Sequence, residues 1–327
     1  MKRYIRLARP FTLLPPLLGI VSGAVCAFGS AHNPDPARRV TWAVVLTVAI
    51  GSLCASLMNA ASNIVNQIAD LEIDRENKPE RPLVTGEISI RQAWITAAVL
   101  YVLVILPTWL VVPYPYSSFR ERLEAPLLLH AAFFIYCLGA LASFVYSFPS
   151  FGRTKRHWLA ANLTIALTRG GLLKVAGWAF VASVGVWEAW SIGGIFAFFL
   201  LGATSTKDFS DMEGDRAHGC RTLPIRFGVA PAARMIAPFF VVPWLLIPLM
   251  AWLPDPGHST ATLLTGNRTF LTLLGFALAA WGAYAARLLL ANPEDLARTE
   301  NHPAWTHMYL LMMSAQVGFA LAYVVRW

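Results

Sequence analysis

Apolar stretches long enough to cross a bilayer recur along the whole chain, with polar and charged residues gathered between them. The runs fall at 12–29, 42–69, 92–112, 128–148, 158–184, 189–206, 233–253, 269–290 and 306–325. They predict an all-α polytopic membrane protein with about nine transmembrane helices, in one integral domain over 1–327. A soluble fold could not hide this much apolar surface.

Two of the runs end in a polar stripe. Asn59, Asn63, Asn66, Asp70 and Asp74 are spaced i, i+4, i+7, i+11 and i+15, which puts them on one helix face. The stripe begins inside an apolar span, where polar side chains need a partner or a water-filled cavity. Thr204, Asp208, Asp211 and Asp215 repeat the stagger. A shift of 145 residues lays Asn63 on Asp208, Asn66 on Asp211 and Asp70 on Asp215, and each stripe leads into a basic loop containing proline. The expectation is a diverged internal duplication (about 1–150 and 151–290), with two equivalent helices facing each other across a shared cavity.

Composition strengthens the membrane reading: 57% of the 327 residues are hydrophobic and 13% charged, against about 25% charged in an ordinary soluble domain. The net charge of +8 is distributed by topology. With the N-terminus inside, alternate loops from Lys2 to Arg298 hold eighteen cations, and the opposite face holds six: Arg38, Arg39, Arg120, Arg122, Arg268 and Arg326. That asymmetry predicts a cytoplasmic N-terminus and cytoplasmic stripe loops in a cell-membrane protein. It also removes the reason to invoke nucleic acid. The start, Met1 to Ser30, imitates a signal peptide, but eight further spans follow and cleavage is not expected. Cys26, Cys54, Cys137 and Cys220 are scattered, without the spacing of a metal or disulfide framework.

Ten of the eighteen acidic residues lie in the two stripe regions. Carboxylates gathered this closely repel one another unless a cation joins them. Mg²⁺ fits, because it uses one or two carboxylates and completes its shell with water and substrate phosphate. Two facing clusters would bracket a diphosphate, with neighbouring cations such as Arg75, Lys78, Lys207 and Arg216 neutralising the remaining phosphate charge. Asn162 and Arg169 share a face of the fifth run. Arg169, inside a span, either binds an acceptor carboxylate or pairs with a motif aspartate. Lys174 faces partly elsewhere. The histidines show no ligand spacing. Tyr146 is the first candidate for an aromatic face that steadies a carbocation; the alternative is an interfacial tyrosine.

At these residues the sequence resembles a known family. Asn66-xxx-Asp70-xxx-Asp74, followed by Arg75-Glu-Asn77-Lys78-Pro79-Glu-Arg81-Pro82 and Gly86, looks like the first signature of the UbiA-type intramembrane prenyltransferases. Lys207-Asp208-xx-Asp211-xx-Gly214-Asp215-Arg216 looks like the second. Arg9-Pro10 and the run from Tyr146 to Lys155-Arg156 extend the likeness, and Arg169-Gly170 looks closest to the homogentisate-prenylating branch. The resemblance implies a helical barrel whose cavity opens sideways to lipid, two Mg²⁺ ions, and a prenyl diphosphate of C10–C20 or longer. It implies Asn66, Asp70, Asp74, Asp211 and Asp215 as the metal and diphosphate set, with Asp208 added, and Lys155 or Arg156 as a diphosphate-binding cation. The family's Leu-rich approach to that pair is replaced here by Phe151-Gly-Arg-Thr. The implied reaction is prenyl transfer to a small phenolic acceptor. Alternatives are a glyceryl lipid, carotenoid or chlorophyllide acceptor, a membrane terpene cyclase, or a transporter. The transporter reading is disfavoured because the acidic clusters lie at one face and Gly/Pro breaks are not paired in the halves.

Overall fold

The computed structural model describes residues 2–116, 118–299 and 302–325; Arg326 and the side chain of Asn77 lie outside what is described. Seven helices are long and apolar enough to cross a membrane, against about nine expected. They are α1 (Pro10–Gly29), α2 (Trp42–Ala69), α3 (Ile90–Thr108), α6 (Trp187–Thr206), α7 (Val229–Trp252), α8 (Arg268–Ala291) and α9 (Pro303–Val324). Of the other two expected spans, one is the shorter α4 (Ala131–Ser147), which has 17 residues. The other is α5 (158–179), where a π-helical stretch, Ala166–Leu172, separates two α-helical pieces and the helix stops before residue 184. An antiparallel hairpin, Pro254–Asp255 with His258–Thr262, follows α7 and was not foreseen.

Each long helix packs on the next, and α9 returns to α1, so the helices close into a ring. Helix α1 also packs against α5. Glycines permit that approach: a Cβ on Gly177 would lie 2.3 Å from the Ile20 carbonyl oxygen, and one on Gly23 would lie 2.4 Å from that of Lys174. Where lipid removes the hydrophobic drive between helices, small residues let backbones pack closely enough for dispersion to act. The outward-facing positions of α2 and α3, among them Leu46, Leu53, Val99 and Leu103, stay exposed and apolar, as a lipid-facing surface requires.

At the ring end opposite the acidic stripes sits a carboxylate the sequence reading did not single out. Glu188, at the start of α6, is 0% exposed. It accepts hydrogen bonds from the hydroxyls of Ser30, Tyr323 and Thr265 and from the Thr265 backbone N–H. One side chain thereby ties together the end of α1, the loop before α8, and α9. Glu188→Ala would leave these buried donors without an acceptor, at about 1–3 kcal/mol for each one unsatisfied. The expected result is a loss of about 3 kcal/mol, read as a lower melting temperature in detergent, with a smaller loss for Glu188→Gln. An unchanged melt for Glu188→Ala would show that the tie contributes nothing.

Candidate active site

The acidic loops are built by the same backbone event. Helix α2 ends at Ala69, and Asp70 leaves helical geometry (φ −106°, ψ 16°) before the short helix Leu71–Asn77. After α6, Asp211 adopts nearly the same conformation (φ −99°, ψ 5°) before Met212–Ala217. The Asp74 N–H then donates to the Asp70 carbonyl at 2.8 Å, and the Asp215 N–H to the Asp211 carbonyl at 3.0 Å. The structure therefore matches Asp70 with Asp211 and Asp74 with Asp215, a shift of 141 residues (211 minus 70), which corrects the 145 expected. The signal was present in the chain: Asp70-Leu-Glu-Ile-Asp74-Arg75 reads against Asp211-Met-Glu-Gly-Asp215-Arg216. Continuous-helix spacing hid it, because the helix is broken at the first aspartate of each set.

The upper part of the first stripe does not line a cavity. Asn63 donates to the Ala8 carbonyl (3.0 Å) and Thr12 Oγ1 (2.8 Å), Asn59 to the Thr12 carbonyl (2.9 Å), and Gln67 to the Leu7 carbonyl (2.8 Å). These bonds hold residues 7–12 against α2, with Arg9 in left-handed geometry at φ 56°. Asn66, further along, accepts from the Ser147 hydroxyl at 3.2 Å.

Below it, cations converge on the first acidic set. Asp70 is buried and paired with Lys155, and the Arg153 guanidinium approaches the same oxygen at 3.3 Å. Buried Asp74 pairs with Arg81, although burial still holds its carboxyl above the usual range. Lys155 is kept in place by its loop: the Arg221 N–H donates to the Arg156 carbonyl at 2.9 Å, and the Trp158 N–H to the Arg221 carbonyl at 3.1 Å. The charges of Lys155 and Lys78 are also felt by Asp215, so both lysines act on both acidic sets. His218 Nε2, 3.8 Å from Glu76 Oε1, joins the two loops directly.

The second acidic set is less compensated. Burial, with Asp215 and Asp211 nearby, holds the Asp208 carboxyl well above its ordinary value. Burial and Asp211 push Asp215 up to about 6, against opposing pulls from Lys155, His218 and Lys78. Tyr146, near the end of α4, is within electrostatic reach of Asp208, Asp215 and Arg169.

Other expected residues stand elsewhere. Arg75 is exposed and pairs with Glu72 at 2.8 Å, and the Arg156 and Arg216 side chains are also exposed. Lys207 lies over the Trp305 ring, 4.7 Å from its centroid. Asn162 is buried and donates to the Leu201 carbonyl (3.0 Å) and Ser205 Oγ (2.7 Å), tying α5 to α6. Arg169 makes no ion pair with a motif aspartate among the described residues. Lys174 is buried over the Phe196 ring at 4.2 Å. Spacing had counted Arg81 and Arg153 only as loop cations, because which of several basic residues folds back onto an aspartate depends on the loop's path. No three His, Cys, Asp or Glu side chains converge as a ready-made metal cage among the described residues. The donors nevertheless suit Mg²⁺, being hard oxygens with uncompensated mutual repulsion and needing water or phosphate to complete a shell. Buried Arg153 Nε has no hydrogen-bond partner among the described residues, and a phosphate oxygen would satisfy it.

The sequence and the fold that carry these loops both have counterparts among known proteins. The model of the UbiA prenyltransferase family matches residues 14–310. The chain belongs to that family. It is 32% identical over 230 residues to the probable homogentisate phytyltransferase 2, chloroplastic, of Oryza sativa subsp. japonica, covering 68% of this chain and 55% of that protein. It is 26% identical over 311 residues to the bacteriochlorophyll synthase 34 kDa chain of Chloroflexus aurantiacus, covering 88% of this chain and 90% of that one. The structure of a UbiA homolog from Archaeoglobus fulgidus bound to GPP and Mg²⁺ superposes with a TM-score of 0.69 at 20% identity, over 99% of this chain and 100% of that one, which establishes the fold. The chain spans about half the length of the hop and rice relatives it matches. Family membership and seven spanning helices make this UbiA-family chain a multi-pass membrane protein.

The raised Asp215 carboxyl has a consequence for stability. A folded-state pKa of about 6 against 3.8 means that the fold favours the protonated form. Ionised Asp215 therefore destabilises the metal-free protein above about pH 6, and the deficit shrinks as pH falls towards about 4. Asp215→Asn is expected to raise the melting temperature in chelator near pH 7, by roughly 1–3 kcal/mol of stability. The difference should close by about pH 4. Coincident melts near pH 7 would show that the carboxylate is not under strain.

Proposed function

We propose that this UbiA-family protein transfers a prenyl group from a prenyl diphosphate to a small phenolic acceptor within the membrane, in a Mg²⁺-dependent reaction. The observation that carries the reading is the pair of Asp-x-Glu-x-Asp-Arg loops at one end of the ring, with Lys155 and Lys78 within electrostatic reach of both. Asp70, Asp74, Asp208, Asp211 and Asp215, with Asn66, are the residues that would hold Mg²⁺. When bound, Mg²⁺ supplies charge neutralisation to the diphosphate and so makes it a better leaving group.

The chain's own residues supply the rest. Lys155, Arg153 and Arg81 form a positive wall behind the first acidic set, where phosphate oxygens would exchange with the carboxylates as partners. The allylic C–O bond breaks with its electron pair leaving on the diphosphate, and the fixed cations stabilise that developing charge without reorganising. The ring helices exclude bulk water, so the allylic cation meets the acceptor before it meets hydroxide. The Tyr146 ring, beside Asp208 and Asp215, presents a π face to that cation. An electron-rich ring carbon then bonds to the prenyl carbon, and pyrophosphate and the ring proton are released. The excess of cations in the loops on that side supports a cytoplasmic location for this chemistry.

The test is product formation. Purified protein with Mg²⁺, geranylgeranyl diphosphate and a panel of phenols is expected to yield prenylated phenol by mass spectrometry, and none in excess chelator. Asp70→Ala and Asp211→Ala should each lower turnover by a factor of about 100 or more while the protein stays folded in detergent. If pyrophosphate is never released with any acceptor, the enzyme reading fails. Near wild-type turnover of either variant would move the metal site elsewhere.

A further inference from the structure

Helix α8 carries one exposed stripe along its length. Positions 273, 276, 280, 283, 287 and 290 follow one another at steps of three and four, and all six are exposed. Leu273, Phe276, Ala280, Ala283 and Leu290 make the stripe apolar, as a face turned to lipid requires; Arg287 is the exception. An arginine in such a stripe needs an anion or water. Arg287 makes no hydrogen bond or ion pair among the described residues. The acidic residues of the next loop do not answer it: Asp295 accepts from the Asn292 amide at 2.6 Å, and Glu294 pairs with no cation.

Depth narrows the choice of anion. Helices α7 and α8 are antiparallel, since Gly282 packs on the Phe240 carbonyl oxygen and a Cβ on Gly275 would lie 2.9 Å from that of Trp244. The last residue of α8, Ala291, therefore lies at the end where α7 begins, directly after the second acidic loop. Arg287 is four residues before that end, about 6 Å of helix rise. From there a guanidinium reaches the headgroup layer while its stem stays in hydrocarbon.

The surface around it is shaped as well as charged. Val241, Ala283, Ala286, Arg287, Leu290 and Ala291 line a groove of about 540 Å³ that is open to the surroundings. Its walls are apolar and its one charge is positive. Arg234, exposed near the start of α7 and without an ion pair among the described residues, adds positive charge at the same end. A hydrocarbon chain with an anionic head complements this arrangement. A zwitterionic lipid fits it less well, because no carboxylate lines the groove to receive the ammonium.

We infer that the α7–α8 groove holds one anionic phospholipid, with its phosphate on Arg287 and an acyl chain along Ala283, Ala286 and Val241. The site uses none of the cations that pair with the first acidic set, Lys155, Arg153 and Arg81, and it does not depend on the prenyl-transfer reading.

The experiment is native mass spectrometry of the full chain, released from micelles that contain equal amounts of phosphatidylglycerol and phosphatidylcholine. Wild type is expected to retain one phosphatidylglycerol per chain, about fivefold or more over phosphatidylcholine. Arg287→Gln should lose that preference, and Arg287→Lys should keep part of it, because an ammonium still offers a point charge. Ala283→Phe should lower retention by filling the groove with Arg287 intact. In detergent, phosphatidylglycerol should raise the melting temperature of wild type and not of Arg287→Gln, while inorganic phosphate changes neither. The site is overturned if wild type retains both lipids equally, if Arg287→Gln keeps the preference, or if Ala283→Phe binds as wild type does. A melting shift with phosphate alone would assign the anion without a chain. A dimer that comes apart in Arg287→Gln would make the groove a contact between two copies; either result overturns the lipid site.

Discussion

Charge placed at one end of an apolar ring has to be neutralised locally, and the rest of this structure follows from that constraint. Lipid offers no solvation, and a carboxylate near a span end survives only beside a cation, a metal or water. Asp70 and Asp74 meet the requirement with Lys155, Arg153 and Arg81. Asp208 and Asp215 meet it only partly, and burial with neighbouring carboxylates holds both carboxyls above the normal range. Under the proposed function the half-compensated set is where a cation would bind.

The fold delivers these groups by ending two helices in the same way. Each breaks at an aspartate, Asp70 or Asp211, and restarts in a short helix carrying a second aspartate one turn on. The Glu76–His218 contact and the strand-like bridge of His157 with Arg221 then hold the loops in register across the ring. At the far end Glu188 plays the complementary part, collecting donors from three elements so that the ring is tied at both rims.

Polar residues within the helices divide into those that join elements and those that face the site. Asn59, Asn63, Gln67 and Asn162 are spent on backbone carbonyls of neighbouring segments. Arg169 and Tyr146 are not, and Tyr146 is within electrostatic reach of Asp208 and Asp215. The chemistry of a side chain does not distinguish the two groups. Its neighbour's path does.

The sequence by itself determined the apolar spans, the all-α class and the two acidic regions, because hydropathy and side-chain spacing act locally along a helix. The spans of α1, α2 and α6 begin and end within a few residues of their apolar runs. The register between the motifs was legible too, in the repeated Asp-x-Glu-x-Asp-Arg, but an unbroken helix was the wrong template for reading it. Only the tertiary structure decided that Arg81 and Arg153 fold back while Arg75, Arg156 and Arg216 face outwards. It alone joined Glu76 to His218, which are far apart in the chain. Ion pairing across loops depends on where a chain returns, and return paths are set by helix packing around the whole ring rather than by any local pattern.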